Sequence, residues 1–264
     1  MRCKTTKLLF WQINKYFTNF LKRGLKSSFF IFDFMKIKLL FFILILSSCG
    51  KNSNEEFKLQ MGDILFQDLD SSPLCDAIEK VTPGYNNYNF SHIGIVLELG
   101  DPNCINSDYI YKNDIKILEA IPEKVKTTRL DSFLNRSFDD DGMPKVIVGR
   151  LKKQYSFLIE DAITFLKSKI GMDYDHYFLE DNNQYYCSEL INEAFNFQES
   201  HNISNSNTMT FKDPQTQKIM PIWIEYYKNL NTVVPEGEIG INPGIMSISK
   251  KIDIVHHYGK PSIK

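Results

Sequence analysis

A single cysteine stands where a helix is about to begin. In the stretch NNQYYCSELINEAF, Cys187 follows polar residues and two tyrosines. The apolar residues after it recur at helical spacing: Leu190, Ile191, Ala194 and Phe195. The first turn of a helix has unpaired N–H groups and a positive dipole end, which favour a thiolate and an oxyanion formed beside it. The pattern predicts a nucleophilic thiol, and a buried structural cysteine on a core helix is the alternative.

Two more residues with catalytic chemistry lie on predicted strands. His92 stands near the start of an alternating, β-branched run at residues 90–98, and Glu119 stands near the end of the run at residues 115–120. An imidazole can take a thiol proton and return it to a leaving group, and a carboxylate can fix the tautomer of that imidazole. Each residue taken alone is also compatible with an ordinary structural role.

Short strands and amphipathic helices must position these residues. Strands are predicted at residues 63–67, 90–98, 115–120, 146–151 and 251–257. Helices are predicted at residues 130–136, 157–170, 187–195 and 221–230, and loops mainly at residues 68–89 and 198–240. The acidic run at residues 139–142 lacks the later glutamate of a calcium loop and predicts a solvated turn, so we expect no metal site.

The first 49 residues predict export. Residues 35–48 combine two lysines, the apolar run Leu39–Leu46 and small residues, and LSSC at the end resembles a lipobox whose Cys49 is lipidated after cleavage. The apolar run is far shorter than the ~20 residues of a membrane-spanning helix. Residues 1–34 are basic and aromatic without a signal layout, which predicts an extension from a wrongly assigned start codon. A membrane-surface helix is the alternative for this segment.

From Cys49 onward we expect a tether at residues 49–58 and one domain at residues 59–264. Nine of the 31 Lys and Arg and one of the 32 Asp and Glu precede Cys49, so 22 basic and 31 acidic residues remain, a formal charge of −9. This charge argues against a nucleic-acid partner. Export permits a disulfide between Cys75 and Cys104, although the sequence does not fix their distance.

Five motifs follow one another as they do in a known family. GDILFQ, SHIGIVLE, ILEA, GMDYD and YYCSELINEAF resemble the motifs of YiiX/YaeF-like proteins, the circularly permuted branch of the NlpC-like, papain-fold cysteine hydrolases. The resemblance covers residues 61–197 and continues less specifically to about His257. Permutation places the histidine strand ahead of the cysteine helix, which is the order found in this chain.

The resemblance implies an α+β, circularly permuted papain-like (NlpC-like) fold, with an antiparallel sheet or small barrel packed on helices and the nucleophile at a helix N-terminus. It implies that Cys187 is the nucleophile, His92 the general base and Glu119 the residue that holds the imidazole, although papain-like enzymes more often have Asn or Asp there. Tyr186 is expected to shape the oxyanion site. No cofactor is implied, and Asp63 and Asp175 are expected to brace turns.

The implied function is a lipid-anchored cysteine hydrolase of the bacterial cell envelope. It would be an amidase, peptidase or acyl hydrolase with an acyl-cysteine intermediate, acting on a cell-wall (peptidoglycan) peptide or an acylated lipid. An acyltransferase with the same intermediate is a further alternative. The alternative is a catalytically inactive lipoprotein that binds a ligand on the same fold. The presence of a cysteine, a histidine and a carboxylate together favours the enzyme.

Overall fold

A six-stranded sheet runs through the centre of the domain. The computed structural model describes residues 57–100, 114–180, 182–196 and 202–264. The strands of the sheet are β1 (Ile64–Gln67), β2 (His92–Glu98), β3 (Lys116–Ala120), β4 (Val125–Arg129), β5 (Val146–Leu151) and β8 (Ile252–His257). They lie in the order β4-β3-β2-β1-β5-β8, and each neighbouring pair is antiparallel.

Helices and one small hairpin surround this sheet. The α-helices of the described ranges are α1 (Pro73–Val81), α2 (Leu130–Leu134), α3 (Ile159–Ser168), α4 (Cys187–Asn196), α5 (Pro221–Asn229) and α6 (Pro243–Ser247), and short 3-10 helices span Tyr85–Asn87 and Lys153–Leu158. Strands β6 (Asn207–Thr208) and β7 (Ile239–Gly240) pair with each other. Across the described ranges, no helix combines the length and apolar character that crossing a bilayer requires.

The alternation of β2 divides its side chains between two apolar layers. Ile93, Ile95 and Leu97 pack into one core cluster together with the buried residues of α4. Val96, from the other set of alternate positions, packs into a second cluster with Phe133 of α2. Because successive side chains of a strand point to opposite faces, the sheet receives α4 on one face and α2 on the other.

Gly94 lets α2 approach the sheet closely. A Cβ atom at this position would lie 2.6 Å from Ile117 Cγ2 and 2.8 Å from Phe133 Cε2. The space is therefore filled by the neighbours of the glycine rather than by a side chain of its own. The ring of Phe133 also lies 5.7 Å from the imidazole of His92, so this close approach helps to support the histidine.

The α+β class and the antiparallel sheet are confirmed, as are the main strands and the helix that begins at Cys187. The sheet is open, with β4 and β8 at its edges, rather than a barrel. Five elements were missed: α1, β6 and β7 lie within predicted loops, β4 is a mostly polar edge strand, and α6 begins at a Pro-Gly pair. The proposed boundaries at residues 34, 48 and 58 lie outside the described residues or at their edge and stay predictions.

Candidate active site

A cleft of about 290 Å³ opens beside the start of α4. Cys187 and His92 both line it, although they are 95 positions apart in the sequence. Tyr174, Tyr186 and Arg136 line the same cleft. The fold therefore brings the predicted nucleophile and the predicted base to one cavity, which is the arrangement that a thiol enzyme requires.

The start of α4 is fixed by a local hydrogen-bond pattern. The carbonyl of Tyr186 accepts the first helical bond from Leu190 N (3.1 Å), and the side chain of Glu189 reaches back to accept from Tyr186 N (3.2 Å). This is half of a capping box, and it leaves Cys187 in the first turn. Burial above all, helped by neighbouring carboxylates, raises the pKa of Glu189 to about 9. Its side chain is therefore neutral at pH 7 and adds no negative charge beside the thiol.

The residues on either side of Cys187 are tied to one backbone position. Ile241 N donates to Tyr186 Oη at 3.0 Å, and Ser188 Oγ donates to the carbonyl of Ile241 at 3.0 Å. All three of these residues are buried. Cys187 is thereby held between two contacts to the segment that leads into α6.

His92 lies between Cys187 and Glu119. Its Nε2 donates to Glu119 Oε2 at 2.7 Å, which leaves Nδ1 as the ring nitrogen for the thiol of Cys187. Burial lowers the pKa of the imidazole, but the hydrogen bonds to Cys187 and Glu119 and their charges outweigh it and raise the pKa to about 9. The arrangement therefore favours an imidazolium at neutral pH.

Glu119 is fully buried and accepts hydrogen bonds from Arg136 and Thr128 as well as from His92. Arg136 donates through Nη1 to Oε2 (2.7 Å) and through Nη2 to Oε1 (2.6 Å), and Thr128 Oγ1 donates to Oε1 (2.5 Å). Burial raises the pKa of this carboxyl, but the bonds from Arg136 and His92 prevail and hold it well below its usual range. Sequence reasoning missed Arg136 and Thr128, since neither lies in a recognisable motif.

Two tyrosines stand beside the thiol. Tyr186, which is expected to shape the oxyanion site, lines the cleft, and burial raises the pKa of its phenol well above the usual value. Tyr174 also lines the cleft, and burial followed by the charge of Cys187 raises its pKa in the same direction. Both are therefore neutral hydroxyls at physiological pH. Tyr174 was missed because only Asp175 of the GMDYD motif was given a role, that of bracing a turn.

The remaining candidates lie outside the reacting centre. Asp63 accepts a hydrogen bond from Gln60 N at 2.7 Å and forms an ion pair with Arg150. Asp175 accepts hydrogen bonds from two backbone N–H groups of its own loop. The expectation that both residues brace turns is therefore confirmed. Cys75 is a buried free thiol that lines the cleft. Cys49 and Cys104 lie outside the described residues, so the lipidation and the disulfide stay untested.

Known proteins resemble this chain in sequence and in fold. The family described as "permuted papain-like amidase enzyme, YaeF/YiiX, C92 family" matches residues 58–252. A crystal structure of "metalloprotein yiiX" from Escherichia coli O157:H7 is similar, with a TM-score of 0.59, 20% identity, and coverage of 77% of this chain and 99% of that one. This likeness supports the fold alone. A comparison with curated proteins finds no match.

The description of that structure as a metalloprotein raises the question of a metal site here. Among the described residues, no group of three or more His, Cys, Asp or Glu side chains is arranged to hold a metal ion. The polar atoms of His92 and Glu119 are instead engaged with each other and with Arg136. These residues therefore do not fit a bound metal, and no chemical step is assigned to one.

We expect Glu189→Gln to stabilise the protein at alkaline pH. The pKa of Glu189 is raised in the folded state, so its stabilising contribution is complete below the usual value of about 4.3 and is lost as pH rises through about 9. Glutamine keeps an oxygen that can accept from Tyr186 N but cannot ionise. Urea unfolding at pH 8 should show an increase on the order of 5 kcal/mol in the free energy of unfolding, with little change at pH 4.

The control is Glu193→Gln, an exposed position on the same helix. It should leave the pH dependence of unfolding close to that of the wild type. Parallel stability curves for Glu189→Gln and the wild type would show that Glu189 is ionised in the folded protein.

Proposed function

Since this chain belongs to the YaeF/YiiX family of permuted papain-like amidases, we propose that it is a cysteine hydrolase that cleaves an amide or ester through an acyl-Cys187 intermediate. The observation that supports this most directly is the hydrogen-bonded series Cys187, His92 and Glu119 at the wall of a cleft. A nucleophile, a base and a group that orients the base are the parts that covalent acyl transfer requires.

In the first half of the reaction, the thiolate of Cys187 attacks the substrate carbonyl carbon and forms a sulfur–carbon bond. The carbonyl oxygen gains negative charge. In this proposal, the backbone N–H of Cys187, in the first turn of α4, stabilises that charge, and the neutral hydroxyls of Tyr186 and Tyr174 line the same cleft. The bond to the leaving group then breaks, and the leaving amine or alcohol takes the proton from His92 Nδ1.

In the second half, water attacks the thioester carbonyl while His92 accepts one of its protons. The sulfur–carbon bond breaks, the carboxylic acid leaves, and the imidazolium and thiolate are restored. No external oxidant or reductant is consumed. Both halves use the same ring nitrogen of His92, which is why the other nitrogen must remain bonded to Glu119.

We propose further that Cys49 carries the lipid that attaches this domain to the outer side of a bacterial membrane. The support is the lipobox-like LSSC after a short apolar run. A domain held there meets two chemical classes of amide and ester: cell-wall peptides and acylated lipids.

The hydrolase is tested by incubating the purified protein with peptidoglycan fragments and with phospholipids, followed by acid quench and mass spectrometry. We expect an acyl adduct on Cys187 and released product from one of these classes, no adduct in Cys187→Ala, and no turnover in His92→Ala. Cys75→Ala, which removes the other described thiol, should keep the adduct. Turnover that persists in Cys187→Ala, or an unmodified thiol with every substrate, would leave a binding protein on the same fold.

The anchor is tested by fractionating cells that express wild type or Cys49→Ser. Two acyl chains hold a protein firmly, at about 0.8 kcal/mol per buried CH₂, so wild type should remain with membranes and the variant should lose both the lipid mass and most of its membrane association. Equal mass and equal fractionation of the two proteins would refute the anchor.

A further inference from the structure

The strand that carries His92 is held where it begins. Ser91, the residue before His92, donates its N–H to the carbonyl of Gln67 at 3.1 Å, and its hydroxyl accepts from Leu69 N at 3.0 Å. Ser91 and His92 are both buried. Residues 67–69, which we call the support segment, therefore fix the point at which the chain enters β2. A shift of this segment would displace the imidazole.

The support segment also holds the chain around Arg136. Gln67 Nε2 donates to the carbonyl of Phe133, in α2, at 2.8 Å. Ser137, the residue after Arg136, donates its hydroxyl to the carbonyl of Asp68. Arg136 is thereby fixed on both sides of its own position. One short stretch of backbone thus supports both the histidine and the arginine of the site.

The side chain of Asp68 fixes the support segment and is fully buried. Its Oδ2 accepts from Ser262 N at 2.6 Å and lies 3.1 Å from the ammonium of Lys145. Lys145 is also buried. Its N–H donates to Ser137 O, and its carbonyl accepts from Asp68 N, each at 3.1 Å. These contacts join the support segment to the residue before β5 and to the chain after β8.

The charge of Asp68 is balanced by Lys145. Burial above all, helped by the charges of Asp68 and Asp76, raises the pKa of Glu79 to about 8, so Glu79 is mostly neutral at pH 7. Desolvation offsets much of the attraction within a buried ion pair, which makes such a pair a poor source of net stability. The contribution of this pair is a fixed geometry, because its members bond to the support segment and to Ser137.

We propose that Asp68 is a positioning residue, which holds the support segment in place and thereby sets where His92 and Arg136 stand. The inference rests on the proposed hydrolase function and adds to it a group that is not among the residues lining the cleft. A displacement of about 1 Å at a reacting group can cost roughly 100-fold in rate. A residue outside the cleft can therefore control the chemical step without touching the substrate.

The experiment measures the rate at which iodoacetamide alkylates Cys187 as a function of pH, read by mass spectrometry of the peptide that contains this residue. In Asp68→Asn the imidazolium is less well placed beside the thiol, so the midpoint of the profile should rise by roughly one pH unit. A direct effect of charge has the opposite sign, because removal of a carboxylate favours a thiolate and would lower the midpoint. The profile thus separates position from charge, and it requires no substrate.

Turnover of 4-nitrophenyl acetate gives a second measurement. Asp68→Asn should lower kcat by roughly 10- to 100-fold and change KM by less than about twofold, because the variant displaces reacting groups and leaves the residues that contact the substrate in place. A loss confined to kcat distinguishes positioning of the reacting groups from damage to the cleft.

Three further variants serve as controls and as a second test. Asp70→Asn removes another carboxylate that contacts Lys145, but this side chain is 61% exposed and water can replace it, so kcat and the midpoint should stay at wild-type values. Ser262→Pro removes the N–H that donates to Asp68 without changing any charge, and it should raise the midpoint. Ser262→Ala keeps that N–H and should behave as the wild type. Ser262 is exposed, so this pair decides the proposal even if Asp68→Asn fails to fold.

The outcomes separate this inference from the proposed function. An unchanged or lowered midpoint in folded Asp68→Asn, or a wild-type profile in Ser262→Pro, would overturn the role of Asp68 and leave the hydrolase intact. Equal losses in Asp68→Asn and Asp70→Asn would overturn it too, since only the buried carboxylate holds the support segment. If the wild type turns over no ester, amide or peptide, the hydrolase is overturned, and the alkylation profile still decides the role of Asp68.

Discussion

The site depends on one fully buried carboxylate. An ionised Glu119 without partners would be strongly destabilising in the protein interior, so its oxygens must be satisfied. His92 from β2, Thr128 from β4 and Arg136 after α2 all bond to it. Three separate segments of the chain must therefore be in place before the carboxylate is stable. The position of the His92 imidazole is therefore set by the fold. Arg136 shares the negative charge of Glu119 with His92.

The nucleophile is held by a different part of the molecule. The sheet carries His92 and Glu119, whereas Cys187 begins a helix whose first turn is capped by Glu189 and tied to Ile241 by its neighbours. Ile241 itself lines the cleft. The contacts that place the thiol thus also shape the cavity in which a substrate would lie.

The sequence predicted the elements with strong periodicity and missed contacts that depend on tertiary structure. The helix at Cys187 and the strand at His92 follow from their apolar patterns, but pairing these residues required the family resemblance. Arg136 and Thr128 carry no local signal, because they reach Glu119 only through the packing of α2 and the register of β3 with β4. Helix α1 was missed because residues 68–89 were interpreted as a loop. The helix begins at Pro73, and proline is favoured at the first position of a helix.

The protonation state of His92 tests this arrangement of charges most directly, and ¹⁵N NMR of the imidazole measures it. Both ring nitrogens should be protonated at pH 7, with a titration midpoint near the raised pKa of about 9. Glu119→Gln removes a negative charge beside the imidazole and should lower the midpoint by roughly one pH unit or more. Arg136→Met removes a positive charge from the same site and should raise the midpoint. The control is Arg129→Met, at an exposed arginine paired with Asp131, and it should leave the midpoint unchanged. A neutral imidazole at pH 7, with a midpoint near the usual value of about 6.5 in all four proteins, would contradict the proposed ion pair.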